Sequence, residues 1–170
     1  MMSKRNPIIR FFTHLLSTPF HVRARFSQQA LSRIEQAIEA SEQKHAGEIR
    51  FVVEAGLHPM EIIYKKTPRK RALELFGRLN IWDTEHNNGV LIYLLLADRD
   101  VEIVADRGIN RLVGHEKWNT ICHDMELMFK RGEFEAGILQ GVSEISALMS
   151  QHFPSSGLGK NEISNRPIVM

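Results

Sequence analysis

The side chains most able to do chemistry fall in two stretches. Between Asn80 and Gly89 the chain places Asp83, Glu85, His86, Asn87 and Asn88. Asp106 and Arg107 follow downstream, and then His115-Glu116. Carboxylates, amide oxygens and imidazoles are the donors a divalent cation uses, and hard cations prefer the oxygens. Glu85, Asn87, Asp106 and Glu116 are therefore the candidate ligands for Ca or Mg. Asp83, His86, Asn88, Arg107 and His115 are further loop candidates, and Arg107 could equally hold a phosphate or pair with a loop acid. The spacing matches no standard metal signature. The competing reading is a turn in which Asn87-Asn88-Gly89 bond their own backbone beside solvated acids. No G-x-S-x-G, Walker loop, C-x-x-C or H-E-x-x-H occurs. Metal-dependent phosphatases gather several carboxylates, and here the supply is thin. The expectation leans to a binding module rather than an enzyme.

The elements that must position these loops are legible from periodicity. Ser27 caps a helix with Ala30, Leu31, Ile34, Ala37 and Ile38 on one face. Residues 48–55 then alternate, with Ile49, Phe51 and Val53 against Glu48, Arg50 and Glu54, as in a strand with one wet face. A helical turn is expected near Met60–Tyr64. Thr67-Pro68 opens the next helix, whose buried stripe is Ala72, Leu75, Phe76 and Leu79. Its first turn, Arg69-Lys70-Arg71, opposes the helix dipole and reads as a solvated face or as a contact for an anion or partner. Gly89–Leu96 is nearly all apolar and predicts a central strand covered on both faces. Ala97–Asp100 is a tight turn, and Val101–Ala105 returns antiparallel. After a loop over 106–114, two helices carry Trp118, Ile121, Cys122, Met125 and Phe129, then Phe134, Ile138, Val142, Ile145 and Met149. A strand–helix–strand crossover makes the first two strands parallel. The fold expected is a three-layer α/β/α sandwich, with helices on both faces of a small mixed sheet of three or four strands. The hairpin then sets the loop before the second strand beside the exit of the third.

With 170 residues, 43% of them hydrophobic, the chain suits one domain with a real core. That domain is expected over 27–153, between a basic arm (1–26) and a flexible tail (154–170). A net charge of +2, without any RNP, zinc-finger or helix-turn-helix signature, argues against nucleic-acid binding. The charge is lopsided, however. Lys4, Arg5, Arg10, Arg23, Arg25 and Arg33 all precede the first acid, Glu35. Within the arm Ile8, Ile9, Phe11, Phe12, Leu15 and Leu16 recur at helical spacing, opposite Arg10, Thr13, His14 and Ser17. The apolar face could dock on the domain's core or lie in a membrane interface. Arg10, Phe11, Phe12, Leu15 and Leu16 are the candidate contacts for a membrane-associated protein or an anionic membrane surface. The lone Cys122 excludes an internal disulfide and sits on an apolar stripe. The longest apolar run, Gly89–Ala97, is too short to span a bilayer. Arg10 and His14 break any signal-peptide core. A cytoplasmic location is expected, peripheral at the inner membrane.

Three segments together resemble the TPM-domain family: GEIRFVVE (47–54), HNNGVLIYLLLADRDVEIVADRGI (86–109) and GEFEAGILQGVSEISALM (132–149). The resemblance covers roughly residues 28–152. It points to bacterial members related to thylakoid-lumen proteins of photosystem II repair. It implies an α/β/α sandwich, an acid-phosphatase activity and a divalent-metal site, often calcium, at the loops around strand two and the strand-three exit. It also implies a LemA-type membrane protein as neighbour. The chain departs from the common pattern at three places. Asn87 stands where many relatives have an acid before Asn-Gly. Asp106-Arg107-Gly108 replaces an aromatic between glycines, and His115-Glu116 opens the following helix. An amide at Asn87 removes one formal charge from a cation site.

Overall fold

Seven residues without a charge, Gly89–Leu95, form strand β2 at the centre of the sheet, buried along its whole length. In the computed structural model, residues 6–155 and 161–170 are described. The order is α1 (Pro7–Leu16), α2 (Pro19–Arg25), α3 (Gln28–Glu42), β1 (Glu48–Glu54), α4 (Pro59–Ile63) and α5 (Pro68–Arg78). After β2 come β3 (Asp100–Ala105), α6 (Arg107–Val113), α7 (His115–Lys130), α8 (Phe134–His152) and β4 (Ile168–Val169). β1 runs parallel to β2, from Glu48 opposite Gly89 to Glu54 opposite Leu95. β3 returns antiparallel to β2, and the sheet order is β3-β2-β1-β4.

Alternation along the strands divides the core in two. Ile49, Phe51, Val53, Val90, Ile92 and Leu94 face one side, where Ile34, Ile38, Trp118, Met125, Ile138 and Ile145 cover them. Val52, Leu91, Tyr93, Leu95 and Val104 face the other, beneath Leu57, Ile62, Ala72, Leu75 and Ile81. Helices therefore lie on both faces of a mixed open sheet, the three-layer sandwich expected.

β1 is not half wet, as its alternation suggests. Glu48 and Glu54 are both buried, and each is satisfied from within the chain. Arg71 donates two hydrogen bonds to Glu54, at 2.9 and 2.8 Å, and the Tyr93 hydroxyl adds a third at 2.7 Å. Glu48 accepts the backbone N–H groups of Glu162 and Ile163. The basic first turn of α5 is thus neither a solvated face nor an anion site at two of its three positions. Arg71 pairs inward, and Arg69 donates to the Ile103 carbonyl at 2.6 Å, capping the outer edge of β3. Lys70 alone is exposed.

Three elements escape the periodicity. α2 and α6 are one to two turns long, too short to show a stripe. β4 has two residues, pairs parallel with β1 and ends the tail in the sheet. The tail, expected flexible from 154, is therefore ordered over its last residues, because Ile163 and Ile168 pack on the core and Val53 accepts the Met170 N–H.

Candidate functional site

The loop before β2 and the exit of β3 do meet. Asp106 N–H donates to the Gly89 carbonyl at 2.9 Å, and Ile109 N–H to that of Asn87 at 3.3 Å. Gly108 lies so close to the Asn87 and His86 carbonyls that a Cβ there would overlap them. Asn87 takes a left-handed φ of 52°, which asparagine tolerates. Its side chain accepts from Arg107 Nε at 3.4 Å. Asn88 is buried, and its amide donates to the Ala46 carbonyl, tying the loop to the residues before β1. The loop's local turn is closed by Thr84, whose Oγ1 accepts the Asn88 N–H at 3.1 Å, rather than by the Asn87 and Asn88 side chains bonding their own backbone.

Asp106 is the interesting acid. It is buried; Oδ1 accepts the Arg107 N–H as the cap of α6, and Oδ2 is buried without a partner. Around it the donor set is thin. Glu85, His86, His115 and Glu116 are exposed. Asp83 lines a separate cleft of 390 Å³ with Arg50, Asn80, Glu162 and Ser164. The Arg107 side chain is exposed at the loop junction, where its Nε donates to Asn87 at 3.4 Å. Among the described residues no three His, Cys, Asp or Glu side chains are grouped to share an ion. A calcium site draws on about six to eight oxygens, and one free carboxylate oxygen beside an arginine is a poor fit.

Carboxylates gather instead at the other end of the hairpin. Burial pushes Asp100 up to about 7, with Glu102, Glu126 and Asp98 adding repulsion. Burial raises Glu102 as well, with Arg69 and His115 pulling the other way. Cys122 lies beside them, its thiol pushed up to about 12 by burial. A thiol held protonated in this way is no nucleophile.

The same end of the sheet holds the N-terminal helix. Arg10 grips Asp98, in the β2–β3 turn, with Nε and Nη2, the closest contact being 2.9 Å. His14 is 3% exposed. Its Nδ1 accepts the Leu57 N–H at 2.9 Å, and its Nε2 lies 3.1 Å from Asp98 Oδ1. Burial alone would raise Asp98, but His14 and Arg10 outweigh it and hold the carboxyl below its usual range. Phe11 packs on the core beside this clasp. The rest of the apolar face points away from the domain, with Ile8 65% and Leu16 69% exposed and Phe12 and Leu15 also in solvent. The helix is docked through its polar face. That is the reverse of the core-docking reading, which turns the apolar face inward. Both sequence readings missed His14 and Asp98 as contacts; the available signal was a buried-partner pattern of Arg and His four residues apart with an acid in a tight turn.

The chain belongs to the TPM domain family, whose match spans residues 23–148. It is similar to the BA42 protein of the psychrophilic bacterium Bizionia argentinensis, whose NMR structure aligns with a TM-score of 0.76 and 28% identity over 85% of this chain and 95% of that one. The N-terminal domain of a P. gingivalis protein shares the fold at 21% identity, with a TM-score of 0.58 over 76% and 81% of the two chains. No curated protein matches the chain. Among the described residues no helix is long and apolar enough to cross a membrane.

Proposed function

We propose that the chain is a TPM-domain binding module, without chemistry of its own, that docks on a membrane-associated partner through its N-terminal helix. The observation that carries this reading is the orientation of α1. A helix kept only for the domain's stability would turn its apolar stripe inward. This one is held by Arg10 and His14 with most of the stripe in water, and large exposed apolar patches mark interaction sites. The family resemblance suggests a LemA-type membrane protein as the partner. A photo-crosslinking residue in place of Leu16, in membranes of cells making the protein, should give adducts; one in place of the exposed His123 should not. Equal labelling from the two positions would sink the reading.

A second reading, a metal-dependent phosphomonoesterase, would have to rest on the single free Asp106 oxygen. Thermal shifts over Ca²⁺, Mg²⁺, Mn²⁺ and Zn²⁺ separate the two, since a ligand at 100-fold its Kd adds about 2.7 kcal/mol. The module reading expects no shift and no hydrolysis of a generic phosphate ester. Metal-dependent hydrolysis that is lost in Asp106→Asn would replace it with the phosphatase.

A further inference from the structure

The exposed apolar surface is wider than the arm. Phe20, at the start of α2, is 74% exposed, and Met60, Ile63 and Tyr64 stand in solvent on or beside α4. α4 packs against α1, so Met60, Ile63 and Tyr64 extend the face that Phe12 and Leu16 begin, and Phe20 follows Leu16 by four residues in the chain. Charge on and beside these three helices is mostly basic. Arg23, Arg25 and Lys65 are exposed, no acid precedes Glu35, and the two acids on or beside α4, Glu61 and Glu74, both bind Lys66 at 2.7 Å. A protein interface surrounds an apolar core with a polar rim. An anionic bilayer offers an apolar layer beneath negative headgroups and nothing positive to match, and basic residues flanking an apolar helix face are the pattern that binds it. The clasp at Asp98 also holds the helix already formed, so docking need not order it first.

We infer that the α1–α2–α4 face is a docking surface for an anionic lipid bilayer, with Phe12, Leu16, Phe20, Ile63 and Tyr64 entering the headgroup boundary and Arg23 and Lys65 meeting the phosphates. This rests on the module reading above and names the lipid itself as the surface engaged.

Full-length protein is co-sedimented with vesicles of phosphatidylcholine, with and without phosphatidylglycerol. Binding should be at least about tenfold stronger to the anionic vesicles and should weaken with salt. Phe12→Ser with Leu16→Ser, and separately Ile63→Ser with Tyr64→Ser, should each lower it by about tenfold or more, since each pair withdraws two large apolar side chains. Both pairs are solvent-exposed, and an unchanged circular dichroism melt confirms that the fold survives. Wild-type protein left in the supernatant with both vesicle types would overturn the inference, as would serine pairs that bind like wild type. If vesicles fail while the Leu16 photoprobe still labels a membrane protein, the lipid inference falls and the module reading stands.

Discussion

Glu54 shows how much a single buried acid depends on its partners. Three hydrogen bonds from Arg71 and Tyr93 satisfy it in the layer between β1 and α5. Its charge also raises the Arg71 guanidinium further. Arg71→Ala strands the carboxylate and should cost about 3–5 kcal/mol in urea denaturation, whereas Glu54→Leu with Arg71→Met should cost less than that single change. Two other acids set a pH dependence. Burial lifts Glu42 to about 8 against the opposing Ile49 N–H bond, and Asp100 stands at about 7. In this window the folded state holds protons that the unfolded chain releases, so stability falls as pH rises from about 5 to 8. Denaturation at both ends of that range should show the drop, and Glu42→Gln should shrink it; an undiminished drop would remove Glu42 from the account. None of this was visible in the sequence. Alternation along 48–54 assigns Glu48 and Glu54 to water, because a strand pattern cannot report that an arginine or a distant backbone segment will come to meet an acid.

At the scale of elements, glycines decide how closely the site loops approach. A Cβ on Gly89 would overlap the Ile81 carbonyl, and one on Gly108 those of Asn87 and His86. Those neighbours are backbone and cannot swing aside. Gly89→Ala should therefore lose more than about 3 kcal/mol or fail to fold, and Gly108→Ala should lower the melting temperature by circular dichroism while leaving the α1 clasp intact. The long elements were legible because their stripes are long: α3, α5, α7 and α8 bury most of the residues their spacing picks out and half-bury the others, such as Leu31, Phe76, Leu79 and Cys122. The adjacency of the two site loops was legible too, from the hairpin alone. Helix α1 was legible as a helix but not in its orientation. Amphipathicity tells which face is apolar, and only the position of Asp98 tells which face is bound.

At the scale of the whole molecule, the sheet is finished by segments far apart in sequence, one before β1 and one after α8. α1 closes one layer, and residues 161–170 cover the open edge of β1, with Glu48 and Arg50 each reaching a tail residue 114 positions away, Glu162 and Ser164 respectively. An unpaired edge strand is a template for association. Removing residues 161–170 should lower stability and cause concentration-dependent aggregation by light scattering; a truncated protein that stays monomeric with wild-type stability would count against the strap. The sandwich and its parallel crossover followed from element order, while β4 did not, since two residues carry no period.

The strap has a consequence during synthesis. Chains are made from the N-terminus and domains begin to organise as they emerge. β1, β2 and β3 are complete once Ala105 has been added, yet the edge of β1 waits for Ile168 and Val169. For the whole interval in which α6, α7 and α8 are being made, a nascent chain carries an uncovered strand. The nascent chain is most exposed to mispairing with a neighbour on the same messenger just before Ile168 and Val169 emerge.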